Sequence, residues 1–284
     1  MTMTDDLRCE YPPDCYFFDC DYVFQDVAVL PAREGGSIIQ WTLDPRVRDE
    51  GEYRYTLQTE NAGVGDLHAW SNVVTQSDTF LLTDLRRRLP GVYCFTHYRV
   101  KLETGERVYF SRAIPAMGKL GYEDYRVYVS VLRAEEVQLS RKTGIPGLIY
   151  KRKISGRPCP RCRDFNTEET RDSGCRFCFG TGWLGGYYRP VPCRWFDVLP
   201  GDTSIRYETT AQGPITNTRF EARTTAVPLL ISGDLWLNQL NSERFRIMQI
   251  EPIVEQKGVP VVYKLAMERL PFSDIVYTLP KDAN

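Results

Sequence analysis

Four cysteines in the middle of the chain form two Cys-x-x-Cys pairs whose spacing suits a shared metal ion. Cys159 and Cys162 make the first pair, and Cys175 and Cys178 make the second, with twelve residues between the pairs. Two residues between cysteines let one tight turn bring both sulfurs to the same ion, and four thiolates complete the tetrahedron that zinc prefers. The spacing therefore predicts one zinc ion held by these four side chains.

A metal ion bound at such a site is expected to have a structural role and not a catalytic one. Four thiolates leave no coordination position for water, whereas catalytic zinc keeps one. The chain has two histidines, His68 and His97, and neither has a nucleophile or an acid at a suggestive spacing. The sequence also carries no nucleophile elbow, phosphate-binding loop or dinucleotide fingerprint. We therefore expect no catalysis, and we expect the metal to hold a small local fold.

The composition is that of an ordinary globular protein. The chain has 284 residues, of which 42% are hydrophobic and 26% charged, and its formal net charge is -1. That length allows two or three domains, and the near-zero charge gives no argument for nucleic acid or a membrane. No apolar run approaches the ~18 to 20 residues of a membrane span, and the acidic start does not resemble a signal peptide. The paired cysteines are therefore expected to be reduced and metal-bound, with disulfides as the alternative, while the role of Cys9, Cys15 and Cys20 stays open.

Residues 24–117 have the pattern of an antiparallel β-sandwich. Segments rich in β-branched and aromatic residues, such as Ser37–Leu43 and Glu52–Glu60, are separated by turn signals. Strands at this spacing suggest a sandwich of about a hundred residues. Trp41 on an early strand and the later sequence YRVKLETGERVYFS resemble fibronectin type III and related Ig-like modules, and this resemblance implies the same fold here.

The pattern changes to that of a helix over residues 118–146. Tyr125, Tyr128 and Leu132 recur at helical spacing, and few turn residues interrupt them. Apolar residues cover more than one face of this helix, so we expect it to pack against more than its own domain.

A basic stretch without acidic residues runs from Arg141 to Arg163. It overlaps the basic connector and zinc-ribbon-like module, which we place at residues 147–189. Side chains of this stretch are candidates for contacts with a protein partner or with nucleic acid, and a solvated linker is the alternative. The candidates are Arg141, Lys142, Lys151, Arg152, Lys153 and Arg157.

Residues 190–284 return to short strands, which predict a small β-barrel or sandwich. Residues 1–23 are expected to form an arm ahead of the first sandwich. The expected fold is therefore mainly β and multi-domain. Its parts are an N-terminal fibronectin-III/Ig-like sandwich, a long helix, a zinc-ribbon-like module and a C-terminal small β-barrel or sandwich.

The cysteine segment carries the most specific resemblance to known proteins. Residues 143–193 resemble a segment of neck, collar or head-to-tail connector proteins of tailed bacteriophages. The first knuckle has the pattern CP-x-C-x-D and the second C-x-x-C-x-GTG-x-x-GGY, and the ending Glu268–Pro280 is also similar. In this chain those positions are Cys159, Pro160, Cys162, Asp164, Cys175, Cys178, Gly180, Thr181, Gly182, Gly185, Gly186 and Tyr187.

This resemblance implies a structural protein of the virion, assembled in the host cytoplasm and without catalytic activity. Its copies would form a closed homo-oligomeric ring of twelvefold symmetry beside portal, connector, tail or fibre proteins, with DNA bound at most non-specifically and no membrane contact. We expect the helix near residues 122–143 and the C-terminal β-module to make the subunit contacts. The alternative is a zinc-ribbon protein that binds nucleic acid through residues 141–163.

Overall fold

The computed structural model describes most of the chain between residues 23 and 281. The described residues are 23–32, 36–47, 52–61, 70–86, 96–105, 107–163, 170, 172, 174–197, 206–210, 213–217 and 219–281. The predicted arm up to residue 22, with Cys9, Cys15 and Cys20, lies outside them, as does His68.

Two antiparallel sheets make up the first part of the chain. The strands are β1 (Phe24–Pro31), β2 (Ser37–Leu43), β3 (Tyr53–Asn61), β4 (Ser71–Ser77), β5 (Leu81–Asp84), β6 (Thr96–Thr104), β7 (Arg107–Phe110) and β8 (Ile114–Pro115). One sheet has the order β1-β2-β5, and the other has the order β4-β3-β6-β7 with β8 paired to β6. Their facing sides share one apolar core, which includes Trp41, Tyr55 and Val100. The two sheets therefore form a β-sandwich.

Alternation along the strands explains which side chains enter this core. In β6 every second residue is buried, including Tyr98, Val100 and Leu102, because neighbouring side chains of a strand point to opposite faces. The partly buried side chains between them lie on the other face of the sheet. His97 is one of these, so the structure places it on β6 away from the cysteine cluster.

One long helix follows the sandwich. Helix α1 spans Tyr122–Gln138 and continues into a wider helical turn, Leu139–Thr143, so the two together match the helix expected near residues 122–143 within the region 118–146. Gly121 before it has an extended backbone (φ -72°, ψ 167°). Tyr128 and Leu132 on its buried face pack against the C-terminal β-module.

That β-module is a closed six-stranded barrel, so the barrel form of the prediction is confirmed. Its strands are β9 (Ile145–Tyr150), β10 (Val191–Asp197), β13 (Arg219–Thr225), β14 (Leu235–Asn238), β15 (Arg244–Gln256) and β16 (Val259–Arg269). They close in the order β10-β13-β16-β15-β14-β9, and Trp195, Trp236 and Phe245 lie in the core. A separate hairpin joins β11 (Arg206–Thr210) to β12 (Gly213–Asn217), and a short 3-10 helix spans Ile275–Thr278.

Strand β9 corrects the predicted boundary at residues 146 and 147, because that boundary falls inside the strand. Ile145–Tyr150 pairs with β10 on one side and with β14 on the other. Both partners come later in the sequence, so nothing local in this basic stretch indicates a barrel strand. The barrel therefore begins before the cysteine segment and ends after it.

Direct contacts join the sandwich to the rest of the molecule. The Gln40 side chain, which is almost fully buried, donates from Nε2 to the Leu229 carbonyl at 2.9 Å and accepts from the Leu229 N–H at 2.8 Å. The rings of Phe80 and Tyr188 lie 5.4 Å apart between the sandwich and the cysteine segment. The sandwich is thus held against both later parts of the chain.

Candidate metal centre

The cysteine segment is a long insertion between two adjacent barrel strands. It leaves the barrel after Tyr150, at the end of β9, and returns at Val191, where β10 begins; these strands pair with Val191 opposite Ile149. Isolated bridges continue the antiparallel pairing into the segment, from Arg152 to Tyr187 and from Pro158 to Trp183. The barrel therefore supplies a rigid base on which both cysteine turns are mounted. We call residues 151–190 the cysteine module.

The four sulfurs converge on one point, as the spacing predicts. All four cysteines are buried, and their Sγ atoms lie within 4.8 Å of one another. Cys159 Sγ lies 3.8 Å from Cys175 Sγ, and Cys162 Sγ lies 3.1 Å from Cys178 Sγ. A tetrahedron with metal–sulfur bonds of ~2.3 Å has edges of about 3.8 Å, whereas a disulfide joins its sulfurs at ~2.05 Å. The arrangement is that of four free thiols around a possible metal position.

Backbone N–H groups point at the sulfurs of the second pair. Burial raises the pKa of Cys175, but the N–H groups of Phe177 and Cys178, with neighbouring thiols, outweigh it and lower the value to about 7. Burial raises the pKa of Cys178, against hydrogen bonds from the N–H groups of Gly180 and Gly182. Donors aimed at sulfur stabilise the thiolate form that metals bind. The donor set therefore fits a cation held by thiolates.

Burial also raises the pKa of Cys162, and its contacts with the other three thiols raise it further. The further rise in the pKa of Cys162 comes from crowding, since several thiolates in one dry cluster repel one another. A bound cation would remove that repulsion. The four thiols thus meet at one position where a cation would stabilise their thiolate forms.

The glycines of the second knuckle have steric reasons to be glycine. Gly182 has a φ of +81°, and a Cβ there would lie 2.7 Å from Thr170 Oγ1. Gly186 has a φ of +65°, and a Cβ there would lie 2.5 Å from the Cys178 carbonyl oxygen. The Thr181 hydroxyl, next to Gly182, donates to that same carbonyl at 2.8 Å. The GTG and GG elements of the sequence therefore shape the turn that carries Cys178.

The cysteine module has little apolar volume of its own. Its buried cluster consists of the four cysteines themselves. Trp183 is buried beside it, with the Arg163 guanidinium 3.8 Å from the centre of its ring. Phe177 remains 49% exposed, with the Arg161 guanidinium 5.6 Å from its ring. A metal ion at the cysteine cluster would therefore add stability between the two knuckles, where the cluster has no other apolar side chains.

Two lysines of the basic stretch are bound inside the molecule, which corrects the expectation that they contact a partner. The Lys151 ammonium donates to Asp234 Oδ2 at 3.1 Å and to the Leu229 carbonyl at 2.8 Å, with 7% of its side chain exposed. The Lys153 ammonium donates to both Asp78 carboxylate oxygens, at 2.7 and 2.8 Å. Burial lowers the pKa of Lys151, although Asp234 opposes that effect. The pair with Asp234 attaches the start of the cysteine module to the barrel, and the pair with Asp78 attaches it to the sandwich.

The other candidates of the stretch are scattered. Arg141 and Arg157 are exposed, and contact through them stays a prediction. The Arg152 backbone N–H donates to Asp234 Oδ1 at 2.8 Å, and its side chain is partly buried. The side chain of Lys142 lies outside the described residues. The stretch therefore forms no single basic surface among the residues that the structure describes.

Comparison of the chain with known proteins gives no function for this site. The chain matches no protein-family model, and no curated protein is similar to it. Within the described ranges, no helix has both the length and the apolar character needed to cross a bilayer.

Proposed function

We propose that this protein is a structural subunit of the neck or collar at the head-to-tail junction of a tailed-phage virion. It acts without catalysis, as one copy in a closed ring of twelvefold symmetry, beside portal, connector, tail or fibre proteins. Contact with DNA is at most non-specific, and a membrane is not involved. The resemblance of the cysteine segment supports this function. The sheet β1-β2-β5 facing the sheet β4-β3-β6-β7, to which β8 adds a short pairing with β6, also fits a fibronectin-III-like sandwich.

The ion proposed for the cysteine module is zinc, in a structural role. Four thiolates in a tetrahedron are the donor set of structural zinc, and they leave no position for a reacting water. Cys159, Cys162, Cys175 and Cys178 would each bind at about 2.3 Å. The sulfur separations described above support this coordination.

The observation that carries the ring proposal is a set of exposed apolar side chains on the helix and on the barrel hairpin joined to it. Asp124 of α1 accepts from Gln256 at 2.9 Å and pairs with Lys257 at 2.9 Å, which fixes the helix to the outer end of the β15–β16 hairpin. Most of β15 beyond Ile247 is exposed. Large apolar side chains of this helix–hairpin unit that face solvent are Val127, Val137, Met248 and Ile253, at 50%, 43%, 49% and 42% exposure. A second copy of the chain is the partner proposed for them.

A pair of charge-bearing substitutions tests this contact. Val127→Glu combined with Met248→Glu is expected to convert the ring to folded monomers, because a carboxylate buried against an apolar partner costs several kcal/mol. The fold itself should change by less than about 1 kcal/mol, since both side chains are half exposed. Analytical ultracentrifugation and electron microscopy give the assembly state.

Val108→Glu is the matched control, because Val108 is 38% exposed on β7 of the sandwich, outside the helix–hairpin unit. It is expected to assemble like the unmodified chain. Rings of normal size from the double variant would exclude this surface as the contact. A chain that stays monomeric at high concentration and in the particle would refute the ring.

A second candidate function is binding of single-stranded nucleic acid at the tip of the cysteine module. Phe177 is half exposed, and Arg157, Arg161 and Arg176 are exposed in the same module. An aromatic ring for base stacking with arginines for phosphate is a common arrangement for such binding. Phe177→Ala would then weaken oligonucleotide binding about tenfold or more, with Phe272→Ala as control, in anisotropy titrations at two salt concentrations. Equal, weak binding by all three proteins would exclude this function.

A further inference from the structure

A cleft of about 540 Å³ lies where the sandwich, the segment before α1 and the barrel meet. Its apolar walls come from all three parts, and they include Val29, Ile114, Leu230 and Val259. That volume is within the range of about 300–1,000 Å³ typical of binding sites, and such sites often lie between domains. The described ranges of the chain place no side chain in it.

One wall of the cleft is the outer edge of β1, where Gly118 lies close to the Val29 carbonyl oxygen. Five consecutive residues of the strand, 26–30, border the cleft. Because β1 is the outermost strand of its described sheet, the cleft that these residues border lies along the strand edge. In the described sheet β1 pairs with β2 and with no second strand. The cleft therefore offers backbone donors and acceptors beside apolar walls, which suits an added extended segment.

The charges at the cleft mouth favour an acidic occupant. Arg112 and Lys119 are exposed lining residues, and Asp26 is the one exposed carboxylate among the described residues that line it. Lys151 also borders the cleft, but its charge is already paired with Asp234. A segment that combines aromatic side chains with carboxylates would match both the walls and the rim.

Residues 1–22 of this chain have that composition. They contain six carboxylates and one arginine, and the aromatic run Tyr16-Phe17-Phe18 lies between Asp14 and Asp19. Fully extended, 22 residues span roughly 70–80 Å, which is enough to cross to a neighbouring subunit. Between Asp14 and β1 the sequence has no Gly, so it lacks the Asn-Gly, Asp-Gly and Gly-x pairs that favour a two-residue hairpin back onto the chain's own β1.

We infer that residues 1–22 of one copy bind in the cleft of a second copy, with the aromatic run against the apolar walls and an extended strand along the edge of β1. This inference deepens the proposed ring function, because such a head-to-tail contact between identical chains generates a ring when it closes. It names the interface through which neighbouring subunits are joined, in addition to the helix–hairpin unit.

Two full-length variants test the contact from opposite sides. The arm variant carries Phe17→Asp and Phe18→Asp, and the cleft variant carries Arg112→Glu and Lys119→Glu. Each is expected to raise the concentration needed for assembly at least tenfold, measured by sedimentation under reducing conditions. Arg189→Glu with Arg194→Glu reverses two exposed arginines outside the cleft and is expected to assemble normally.

Mixing the two variants distinguishes binding to a neighbour from binding within one chain. The arm variant keeps an intact cleft and the cleft variant keeps an intact arm, so the mixture can make one productive contact per pair. The expected product is a one-to-one dimer that does not grow. A fluorescent peptide of residues 1–22 is likewise expected to bind the arm variant at least tenfold more tightly than the cleft variant.

The outcomes separate this inference from the proposed function. If both variants formed rings at the same concentration as the unmodified chain, the arm contact would be overturned and the ring function would still stand. Arm-dependent dimers or filaments without closed rings would support the contact and overturn the ring. No dimer in the mixture, together with equal peptide binding by both variants, would overturn the contact itself.

Discussion

Cys175→Ser is expected to release the bound metal and unfold the cysteine module while the sandwich stays folded. Metal coordination contributes on the order of 10–16 kcal/mol in small zinc modules, and the buried cluster that joins the two knuckles consists of the four cysteines. The sandwich keeps its own core around Trp41 and Tyr55, so its stability does not depend on the metal. Elemental analysis should fall from one zinc per chain to near zero, and limited proteolysis should cut within residues 151–190.

Cys193→Ser is the matched control for this variant. Cys193 lies on β10 outside the cluster, with its Sγ 3.4 Å from Thr224 Oγ1, so it should retain full metal content. Removal of the metal from the unmodified protein with a strong chelator should reproduce the proteolysis pattern of Cys175→Ser. Cleavage that spreads into residues 24–117 would show that the sandwich and the module fold as one unit. Full metal content in Cys175→Ser would contradict the four-cysteine site.

Asp234→Asn is expected to destabilise the protein by about 3–5 kcal/mol, because it leaves the Lys151 ammonium buried without its counter-charge. Asp234 is fully buried and accepts hydrogen bonds from the Lys151 side chain and from the backbone N–H groups of Arg152 and Ile231. Asparagine has the same shape but no charge, so the change isolates the electrostatic part. Denaturant unfolding followed by fluorescence measures the loss.

A double variant makes this test specific. Lys151→Met in the Asp234→Asn background should recover part of the loss, since an uncharged pair no longer carries a buried ion. Glu123→Gln removes an exposed pair with Arg126, whose two side chains are 80% and 63% exposed, and should change stability by less than about 1 kcal/mol. Equal effects of Asp234→Asn and Glu123→Gln would show that burial adds nothing to the Lys151–Asp234 pair.

The parts of this molecule that sequence alone predicts are those whose determinants lie close together in the chain. The metal centre follows from two pairs of cysteines at short spacing, and the structure confirms that these four side chains meet. Strand β2 is predicted to the residue, because turn signals flank an unbroken β-branched and aromatic run. The burial of Tyr98, Val100 and Leu102 on one face of β6 likewise follows from alternation.

The parts that it does not predict depend on distant partners. Lys151 and Lys153 belong to an unbroken basic run, and the acids that bind them lie 83 and 75 residues away in the sequence. Strand β4, Ser71–Ser77, is a mostly exposed polar edge strand without the apolar alternation of a half-buried one. In both cases the tertiary fold, rather than any local pattern, determines what the residues do.

The placement of the cysteine module between β9 and β10 also makes it a site at which the chain tolerates changes of length. The two ends of the module leave and re-enter the barrel at neighbouring hydrogen-bonded positions, so added residues between the knuckles exert no tension on the barrel strands. A short epitope or a fluorophore-binding peptide inserted between Cys162 and Cys175 would therefore label each subunit without shifting strand register. The same geometry allows the exposed part of the cysteine module to change in length and sequence while the barrel strands keep their pairing.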